Sequence, residues 1–464
     1  MGRALSRNVL TWQAGRAAPA ERLLSDRYRA LAASHHAMWN YMTYRDAIHL
    51  LGLRAEDVYP DGSARLDPEH WADLGWLTNF CGPPASALAA MREAVSVETV
   101  NPYTPDLVDP LRDAAAAVLG RVRSERFEVV GTEGAQASIS YALAVLIDPG
   151  DEVVVADPGY FHLPTAVCAA GGVPLPVRVS SANGYRLDPD EVRSALTARA
   201  RAIAVVDPLN PFGTVQTDDE LQALLKLAEQ HDLVLLNDLT HAAIRIDPGA
   251  EHHPLLSLAE VPVCDRVVGI FSVSHCFGMA GARLGFLGAA PELARACLRA
   301  KAALVRLNTN LVSQHGALAA LRDPAFLEAS AEVVRRNLTR LESIAEATPG
   351  VTLPVRPSHG FSAVLDVAGT GASAQELTVA LFARRVAVYP GDGLGDVGAL
   401  RFVRLNLSRP DGAALERLAQ ALPDAIDEAA SGRWREPVAD LLASRGSERG
   451  RRLAGLIRQG RLDD

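Results

Sequence analysis

The chain contains very little lysine and little cysteine: its 464 residues include five cysteines and only two lysines, Lys226 and Lys301. The cysteines are scattered, odd in number and without Cys-x-x-Cys spacing, which argues against a disulfide framework and against a thiolate zinc site. No run of about 18 apolar residues occurs, and the N-terminus lacks the apolar segment of a signal peptide. We therefore expect a cytoplasmic protein that does not span a membrane.

The charge balance and the histidine spacing exclude two further classes of partner. A net charge of -9 argues against a nucleic-acid-binding surface, so small molecules are the expected partners. The adjacent pairs His35-His36 and His252-His253 are unsuited to metal binding, because neighbouring side chains point in different directions and no carboxylate cluster accompanies them. We predict no metal site and place both pairs at the surface.

Short apolar runs alternate with longer amphipathic segments between residues 101 and 288, which predicts a mostly parallel sheet with helices on both faces. The predicted buried strands span residues 127–131, 152–156, 202–207, 233–238 and 267–272. After residue 324, a long charged helix, strands around 364 and 401–407, and a helix near 378–385 predict a smaller α+β domain. The fold class is therefore α/β, and ligands in such a sheet bind at the carboxyl ends of the strands.

The pattern divides the chain into four segments. We expect residues 1–95 to be an N-terminal extension and arm, 96–322 the large domain, 323–430 the small C-terminal domain, and 431–464 a polar tail. The tail is rich in arginine and polar residues, and we expect it to be helical or frayed and to be solvated.

Candidate binding residues lie at the end of, or just after, three of the predicted strands. Asp238 ends one strand, where a partly buried carboxylate needs a cationic partner such as a protonated pyridine nitrogen. Asn210 lies in a turn-forming run after another strand, where its amide can donate to a phenolic oxygen. Gly134, Ala135 and Gln136 follow the first strand and can open a helix whose amides point at an anion such as phosphate. Taken singly, each also fits an ordinary cap, turn or tight connection, so the argument depends on their joint order.

In this order the motifs resemble those of the class I and II aminotransferases, the fold-type-I family of pyridoxal-phosphate enzymes, over residues 82–422. The resemblance implies that residues 96–322 bind the cofactor and that residues 134–136 form its phosphate loop. Tyr160, in the run Asp-Pro-Gly-Tyr, would stack on the pyridine ring, and Asp238 would pair with the ring nitrogen. The run that begins at Asn210 is similar to the family's Asn-Pro-Thr-Gly, with Phe212 in place of threonine.

Further residues match family positions that hold phosphate or substrate. Ser272, Ser274 and Arg283 correspond to phosphate ligands, and Arg404 corresponds to the arginine that binds the substrate's α-carboxylate as a bidentate pair. The run around Tyr103 is similar to the segment whose tyrosine reaches the phosphate of the neighbouring subunit, although the family's glycine after it is missing. The resemblance therefore implies a homodimer that acts on an amino or keto acid.

Two positions depart from the family pattern. His241 stands where the family has a tyrosine that donates to the cofactor's phenolic oxygen, and an imidazole can still donate one hydrogen bond. His275 stands where the family has the lysine that forms a Schiff base, and Lys226 and Lys301 lie outside this motif. Imidazole forms no stable imine, but with a pKa of about 6.5 it can shuttle a proton. We therefore predict noncovalent pyridoxal 5'-phosphate or pyridoxamine 5'-phosphate, with His275 as general acid/base and His241 beside it.

Three functions stay open at this point. The first is an enzyme, a transferase or a lyase, that uses the noncovalent cofactor on an amino or keto acid. The second is an ordinary pyridoxal-phosphate-dependent aminotransferase with a substituted lysine and a compensating base elsewhere. The third is a catalytically inactive homologue that serves as a binder or a partner subunit. The retained set of cofactor residues favours cofactor binding, and we take the first as the working hypothesis.

Overall fold

The computed structural model describes residues 71–459, except for residues 105, 123, 125, 261–262, 307, 396–398, 445–450, 452–453 and 456. Residues 1–70 of the predicted N-terminal extension, which include His35 and His36, lie outside the described residues. Among the helices that the structure describes, none is both long and apolar enough to cross a lipid bilayer.

Strands and helices alternate through most of the described chain. The strands are β1 (Ala72–Asp73), β2 (Glu128–Thr132), β3 (Glu152–Asp157), β4 (Val173–Arg178), β5 (Ala200–Val206), β6 (Val234–Asp238), β7 (Val267–Ser272), β8 (Gly285–Ala289), β9 (Ser362–Asp366), β10 (Val386–Ala387), β11 (Tyr389–Pro390) and β12 (Phe402–Asn406). The α-helices are α1 (Ala85–Ala94), α2 (Val97–Val100), α3 (Asp109–Val118), α4 (Ala135–Leu146), α5 (His162–Ala170), α6 (Pro189–Ala195), α7 (Asp218–Gln230), α8 (Leu255–Leu258), α9 (Pro291–Leu304), α10 (Leu311–Leu321), α11 (Pro324–Ala347), α12 (Ala374–Ala383), α13 (Ala413–Ser431) and α14 (Arg435–Ser444).

The central sheet has seven strands in the order β2-β8-β7-β6-β5-β3-β4. Strand β8 runs antiparallel to its neighbours β2 and β7, and the other neighbouring strands run parallel. The sheet is therefore mostly parallel, as the sequence predicted. All five predicted strands are present, with ends that differ from the predicted ones by at most two residues.

Two strands of this sheet escaped the sequence analysis. Strand β4 contains Pro174 and Pro176, which weaken its strand signal, but it is an edge strand, where a missing backbone donor is tolerated. Strand β8 contains Gly285 and Gly288, which carry no side chain to mark a strand. A Cβ on Gly288 would lie 2.5 Å from the Phe127 ring, so close packing requires glycine there.

Both faces of the central sheet are covered by apolar side chains. In β3, Val154 belongs to one core cluster, while Val153 and Val155 belong to the other. Successive side chains of a strand point to opposite faces, so the two clusters lie on the two sides of the sheet. Leu224 of α7 packs in the first cluster and Ile139 of α4 in the second. Burial on both faces explains why these strands read as continuous apolar runs.

A smaller antiparallel sheet, in the order β11-β12-β9, follows the long helix α11. The predicted long helix, the two predicted strands and the helix near 378–385 are thus confirmed as α11, β9, β12 and α12. Strand β1 pairs in parallel with β10, so the first described residues lie beside this part of the chain. The segment after β1 therefore reaches the site from the side of the smaller sheet.

The C-terminal segment differs from the solvated tail that we expected. Helix α14 follows α13, and Trp434, Val438 and Ala439 are buried together with Ala454 and Ile457. These side chains join the same apolar cluster as the helices of the smaller sheet. The expectation was wrong because a few apolar residues at helical spacing suffice to dock an otherwise arginine-rich helix.

Candidate active site

The carboxyl ends of neighbouring strands bring most of the predicted site residues to one edge of the central sheet. Strands β3, β5, β6 and β7 are adjacent and parallel, so the segments after them meet. These segments carry Tyr160 after β3, Asn210 after β5, Asp238 and His241 at and after β6, and Ser272, Ser274 and His275 at and after β7. Gly134, Ala135 and Gln136 follow β2 and begin α4.

An anion-binding corner lies at the start of helix α4. Gly134 caps this helix with φ 107°, and a Cβ there would lie 3.0 Å from Arg283 Nη2. The same Arg283 nitrogen donates to the Glu133 carbonyl at 2.6 Å. On the adjoining strand end, the Ser274 amide donates to Ser272 Oγ at 3.4 Å. A helix N-terminus, a guanidinium and serine hydroxyls form a donor set that suits a phosphate group.

Asp238 is a buried carboxylate at the end of β6. Its Oδ1 accepts hydrogen bonds from the Thr240 amide at 3.0 Å and from the Thr240 hydroxyl. Burial raises the pKa of Asp238 despite these two donors, and no arginine or lysine of the described chain counteracts it. A buried carboxylate is stabilised when a cation is paired with it.

Tyr160 lies between this carboxylate and the helix that begins the anion corner. Its hydroxyl donates to Gln136 Oε1 at 3.4 Å. Burial raises the pKa of Tyr160, and the nearby negative charge of Asp238 raises it further. The phenol therefore stays protonated and offers the face and edge of a partly buried aromatic ring.

The imidazole of the buried His241 lies beside that of His275, and both lie next to Phe361. Their ring centroids are 4.7 Å apart and lie 5.4 Å and 6.4 Å from the Phe361 ring. Neither Nδ1 atom has a hydrogen-bond partner among the described residues. Burial, followed by the charges of Arg404 and Arg283, lowers the pKa of His275 to about 4, and burial lowers that of His241 well below its usual range. Both rings are neutral at pH 7, and buried polar atoms without partners mark a place for a ligand.

A third imidazole, His162, belongs to this cluster and was missed by the sequence analysis. It opens helix α5, and its ring centroid lies 5.6 Å from that of Tyr160. Burial and the charge of Arg404 lower the pKa of His162 to about 4, and its own charge acts in turn on His275. Its position just after a strand end was the available signal, since the start of the following helix lies at the same edge of the sheet.

Arg404 is only 3% exposed, and no carboxylate of the described chain is paired with it. Nη1 lies 3.5 Å from Asn210 Oδ1, Nη2 donates to the Gly75 carbonyl at 3.3 Å, and Nε has no partner among the described residues. Cζ lies 4.1 Å from the centroid of the Tyr389 ring. Burial lowers the pKa of Arg404 to about 10, so the group keeps its charge at pH 7. A buried guanidinium of this kind is a receptor for a carboxylate.

A family model, Aminotransferase class I and II, matches residues 75–422. The chain belongs to this family. It is 32% identical over 308 residues to the arginine–pyruvate transaminase of Pseudomonas aeruginosa, covering 65% of this chain and 76% of that one. It is 27% identical over 347 residues to the aspartate/prephenate aminotransferase of Thermus thermophilus, covering 73% of this chain and 88% of that one.

Solved aminotransferase structures share the fold. The aspartate aminotransferase of Thermus thermophilus with maleate superposes with a TM-score of 0.73 at 26% identity, over 86% of this chain and 99% of that one. The predicted fold class, a fold-type-I pyridoxal-phosphate transferase with a mostly parallel sheet, is confirmed. Membership of the class I and II aminotransferases implies a pyridoxal-phosphate cofactor and amino or keto acid substrates.

Tyr103 lies apart from the other predicted site residues of this aminotransferase-family chain. Its side chain is 80% exposed, and the Arg306 guanidinium lies 5.5 Å from its ring centroid. Val95, Val97 and Val100, which lie in and beside α2 shortly before Tyr103 in the chain, are also exposed. That Tyr103 contacts the phosphate site of a neighbouring subunit stays a prediction.

Neither lysine offers a free amine to the imidazole pair. Lys226 is exposed on α7, and Lys301 is fully buried on α9. The Lys301 ammonium donates to Asp106 Oδ1 at 2.7 Å, to the Gly131 carbonyl at 2.7 Å and to Thr309 Oγ1 at 2.8 Å. All three of its protons are therefore engaged.

The two adjacent histidines after β6 separate in the structure. His253 is 42% exposed and lies 2.9 Å from Asp218, as expected of a surface residue. The surface assignment was wrong for His252, whose side chain is 8% exposed, with Nε2 at 3.1 Å from Asp207 Oδ2. The buried carboxylate at the start of the Asn210 segment needs a cationic partner, and His252 supplies it. Among the described residues, no group of three or more His, Cys, Asp or Glu side chains is arranged to hold a metal ion.

Proposed function

We propose that this chain is an enzyme that binds pyridoxal 5'-phosphate or pyridoxamine 5'-phosphate noncovalently and acts on an amino or keto acid. In this proposal His275 stands where the family has its lysine and serves as general acid/base. One observation carries the proposal: two adjacent imidazoles, each with a buried Nδ1 that has no partner in the described chain, lie within the electrostatic influence of Arg283 at the anion corner and of a buried Arg404 that has no carboxylate partner among the described residues. That arrangement suits a phosphorylated ring at the anion corner, a carboxylate at Arg404 and proton transfer at the imidazoles.

The residues present fit the cofactor. Gly134, Ala135, Ser272, Ser274 and Arg283 would hold its phosphate, since amide, hydroxyl and guanidinium donors converge there. Their convergence replaces part of the anchoring that a covalent bond provides.

The ring of the cofactor also finds partners. Asp238 would pair with the protonated pyridine nitrogen, which supplies the cation that its burial requires. Tyr160 would stack on the ring, with Gln136 holding its hydroxyl. Asn210 and His241 would donate to the phenolic oxygen. When bound, the cofactor supplies an electron sink that makes a proton at the substrate's α-carbon removable.

Arg404 would bind the α-carboxylate of the substrate. The Gly75 carbonyl and Asn210 fix two of its nitrogens, and stacking on Tyr389 fixes the plane of the guanidinium. Relatives act on arginine with pyruvate and on aspartate, according to their names, which agrees with an α-carboxylate as the shared recognition group. For this chain we propose the class only, an amino acid or its keto acid.

His275 would hold and move one proton at its imidazole. Its pKa of about 4 reflects burial first and then the charges of Arg404 and Arg283. Binding of the substrate carboxylate at Arg404 and of the phosphate at Arg283 neutralises both charges, which raises the basicity of the ring. The base is thereby strengthened when both ligands are present.

We also propose that the active unit is a homodimer. Tyr103 is too exposed to serve its own site, and the nearby segment of the chain exposes the apolar side chains of Val95, Val97 and Val100. A second copy would cover this surface and bring Tyr103 to the phosphate of the partner's site. Tyrosine at such a rim combines a large apolar face with a hydroxyl donor.

Absorbance spectra and borohydride treatment test the noncovalent cofactor. We expect added pyridoxal 5'-phosphate to absorb as the free aldehyde or hydrate, and borohydride to leave the mass of the chain unchanged. A protein mass that increases by one reduced cofactor, localised to Lys301 or to any other residue, would refute the noncovalent proposal and favour an ordinary aminotransferase.

Exchange of the substrate's α-proton separates an enzyme from a binder. Protein loaded with either cofactor form is incubated in D2O with a panel of amino and keto acids, and deuterium incorporation and amino-group transfer are followed by NMR. We expect exchange that depends on both cofactor and His275. Cofactor binding without exchange or transfer for any acid would identify an inactive homologue, and absence of cofactor binding would refute the proposal altogether.

A further inference from the structure

Lys301 is one of two lysines in the chain and the one that is fully buried. A buried ammonium is costly unless charge and hydrogen bonds compensate it. Asp106 supplies the charge with Oδ1 at 2.7 Å, and the Gly131 carbonyl and Thr309 hydroxyl accept the remaining protons at 2.7 Å and 2.8 Å. The network is therefore closed and specific in geometry.

The network makes hydrogen bonds to both backbone groups of Gly131, near the end of strand β2. The Gly131 amide donates to Asp106 Oδ2 at 2.8 Å, while the Gly131 carbonyl accepts from Lys301. Strand β2 is an edge strand with β8 as its neighbour, so these outward groups of Gly131 have no sheet partner. Asp106 and Lys301 take the place of the missing strand. A Cβ on Gly131 would lie 2.7 Å from Leu107 and 2.9 Å from Thr309 Oγ1, so this approach depends on glycine.

The same ammonium reaches the residue that precedes Gly134. Glu133 Oε1 lies 3.9 Å from Lys301 Nζ, and Glu133 Oε2 accepts from the Tyr141 hydroxyl at 2.6 Å. The Glu133 carbonyl accepts from Arg283 at 2.6 Å. Lys301 and Arg283 thus bracket residues 131–134 from opposite ends. Lys301 and Tyr141 hold the Glu133 carboxylate in place. Its negative charge is thereby partly balanced, which reduces its repulsion of a phosphate bound at the loop.

We propose that Lys301 is a positioning residue for the phosphate loop, acting through Gly131 and Glu133 and touching neither cofactor nor substrate. This inference rests on the proposed function, because it assumes that the loop receives the cofactor's phosphate. Its specific consequence is that Lys301 governs the preference for a phosphorylated over an unphosphorylated cofactor.

The test compares Lys301→Met with the double variant Lys301→Met/Asp106→Asn, and uses Lys226→Met as the matched control. The double variant removes the carboxylate that the single variant leaves unpaired. It therefore separates the loss of the hydrogen bond from Lys301 to Gly131 from the effect of an unbalanced charge. Dissociation constants are measured for pyridoxamine 5'-phosphate and for pyridoxamine, and amide hydrogen exchange of residues 131–138 is measured without cofactor. These readouts do not depend on activity.

We expect both Lys301 variants to bind pyridoxamine 5'-phosphate about tenfold more weakly, a change of about 1.4 kcal/mol. Binding of pyridoxamine should be unchanged, exchange in residues 131–138 should be faster, and Lys226→Met should behave as the unmodified chain. Equal loss of both ligands, or wild-type affinity in the folded double variant, would overturn the positioning role. If the unmodified chain binds neither ligand, the proposed function fails, whereas the exchange data still report whether Lys301 holds the loop.

Discussion

The imidazoles of His241 and His275 lie 4.7 Å apart, centroid to centroid, and both Nδ1 atoms are buried without a partner in the described chain. Two such rings cannot both be protonated in this space without strong repulsion, and the charges of Arg404 and Arg283 already disfavour protonation of His275. The pair is therefore suited to hold one proton at a time, which suits proton transfer at one carbon atom.

Replacing His275 by phenylalanine tests this role directly. The ring volume is kept and the proton acceptor is lost, so we expect α-proton exchange to slow by at least about 100-fold. Binding of pyridoxamine 5'-phosphate should change little, because phosphate and pyridine contacts lie on other residues. NMR in D2O measures exchange and titration measures binding. Unchanged exchange in His275→Phe would show that another group moves the proton.

Replacing His275 by lysine tests whether the surrounding site can still accept a covalently held cofactor. We expect His275→Lys to react with pyridoxal 5'-phosphate, to absorb at the longer wavelength of an imine, and to retain the cofactor after borohydride treatment. Mass spectrometry of peptides locates the attachment. The matched control is Phe361→Lys, which adds an amine beside the imidazoles of His241 and His275. Attachment in the control but not at residue 275 would contradict the assigned place of His275.

Replacing Arg404 by methionine should improve stability while it removes substrate binding. The guanidinium is buried without a carboxylate, so we expect the unfolding free energy of the ligand-free protein to rise by about 1 kcal/mol. The dissociation constant for an amino or keto acid should rise roughly 100-fold, whereas that for the cofactor should not. Denaturant titration and ligand titration measure the two effects. A destabilised protein with normal substrate affinity would show that Arg404 has a structural role.

The buried histidines predict a loss of stability in acid. Burial is the main cause that lowers the pKa of His162, His275 and His359 to about 4 and the pKa of His241 well below 6.5. Unfolded histidine titrates near 6.5, so between pH 6.5 and about 4 the unfolded chain binds more protons, and stability falls as pH falls. Each such proton contributes about 1.4 kcal/mol per pH unit.

His252 contributes one proton with the opposite sign, in the pH range above 6.5. Burial would lower its pKa, but the Asp207 carboxylate, 3.1 Å from Nε2, outweighs burial and raises it. Its stabilisation is present below pH 6.5 and is lost as pH rises through the raised pKa. Urea midpoints near pH 7 and pH 5 give the net slope. The variant His162→Asn/His275→Asn should flatten that slope, and an unchanged slope would exclude both rings as its source.

The proposed dimer predicts that one charge on the apolar surface beside Tyr103 separates the subunits. We expect Val97→Glu to lower the sedimentation coefficient from that of a dimer to that of a monomer, and to weaken cofactor binding because Tyr103 no longer reaches a phosphate. The control Val173→Glu alters an exposed apolar residue on β4, away from this surface. A dimer that survives Val97→Glu with unchanged affinity would place the interface elsewhere.

Strand periodicity and ordered motifs were sufficient to predict the fold and the meeting of Asp238, Ser272 and His275. Those residues lie within a few positions of strand ends, and adjacent parallel strands fix where such ends meet. His162 was missed although it follows a strand end, because it matches no motif of the resemblance and only its position five residues after β3 points to the site. The roles of Lys301 and His252 were also missed, because each depends on a carboxylate distant in sequence, Asp106 or Asp207.

The pairing of β1 with β10 places the proposed substrate anchor at the junction of the two sheets. Gly75 follows β1, and its carbonyl accepts from Arg404 on β12 of the smaller sheet. Asn210 follows β5 of the central sheet, and its Oδ1 lies 3.5 Å from Arg404 Nη1. A carboxylate bound at Arg404 would therefore sit between groups that belong to both sheets, and its binding would strengthen the link between them.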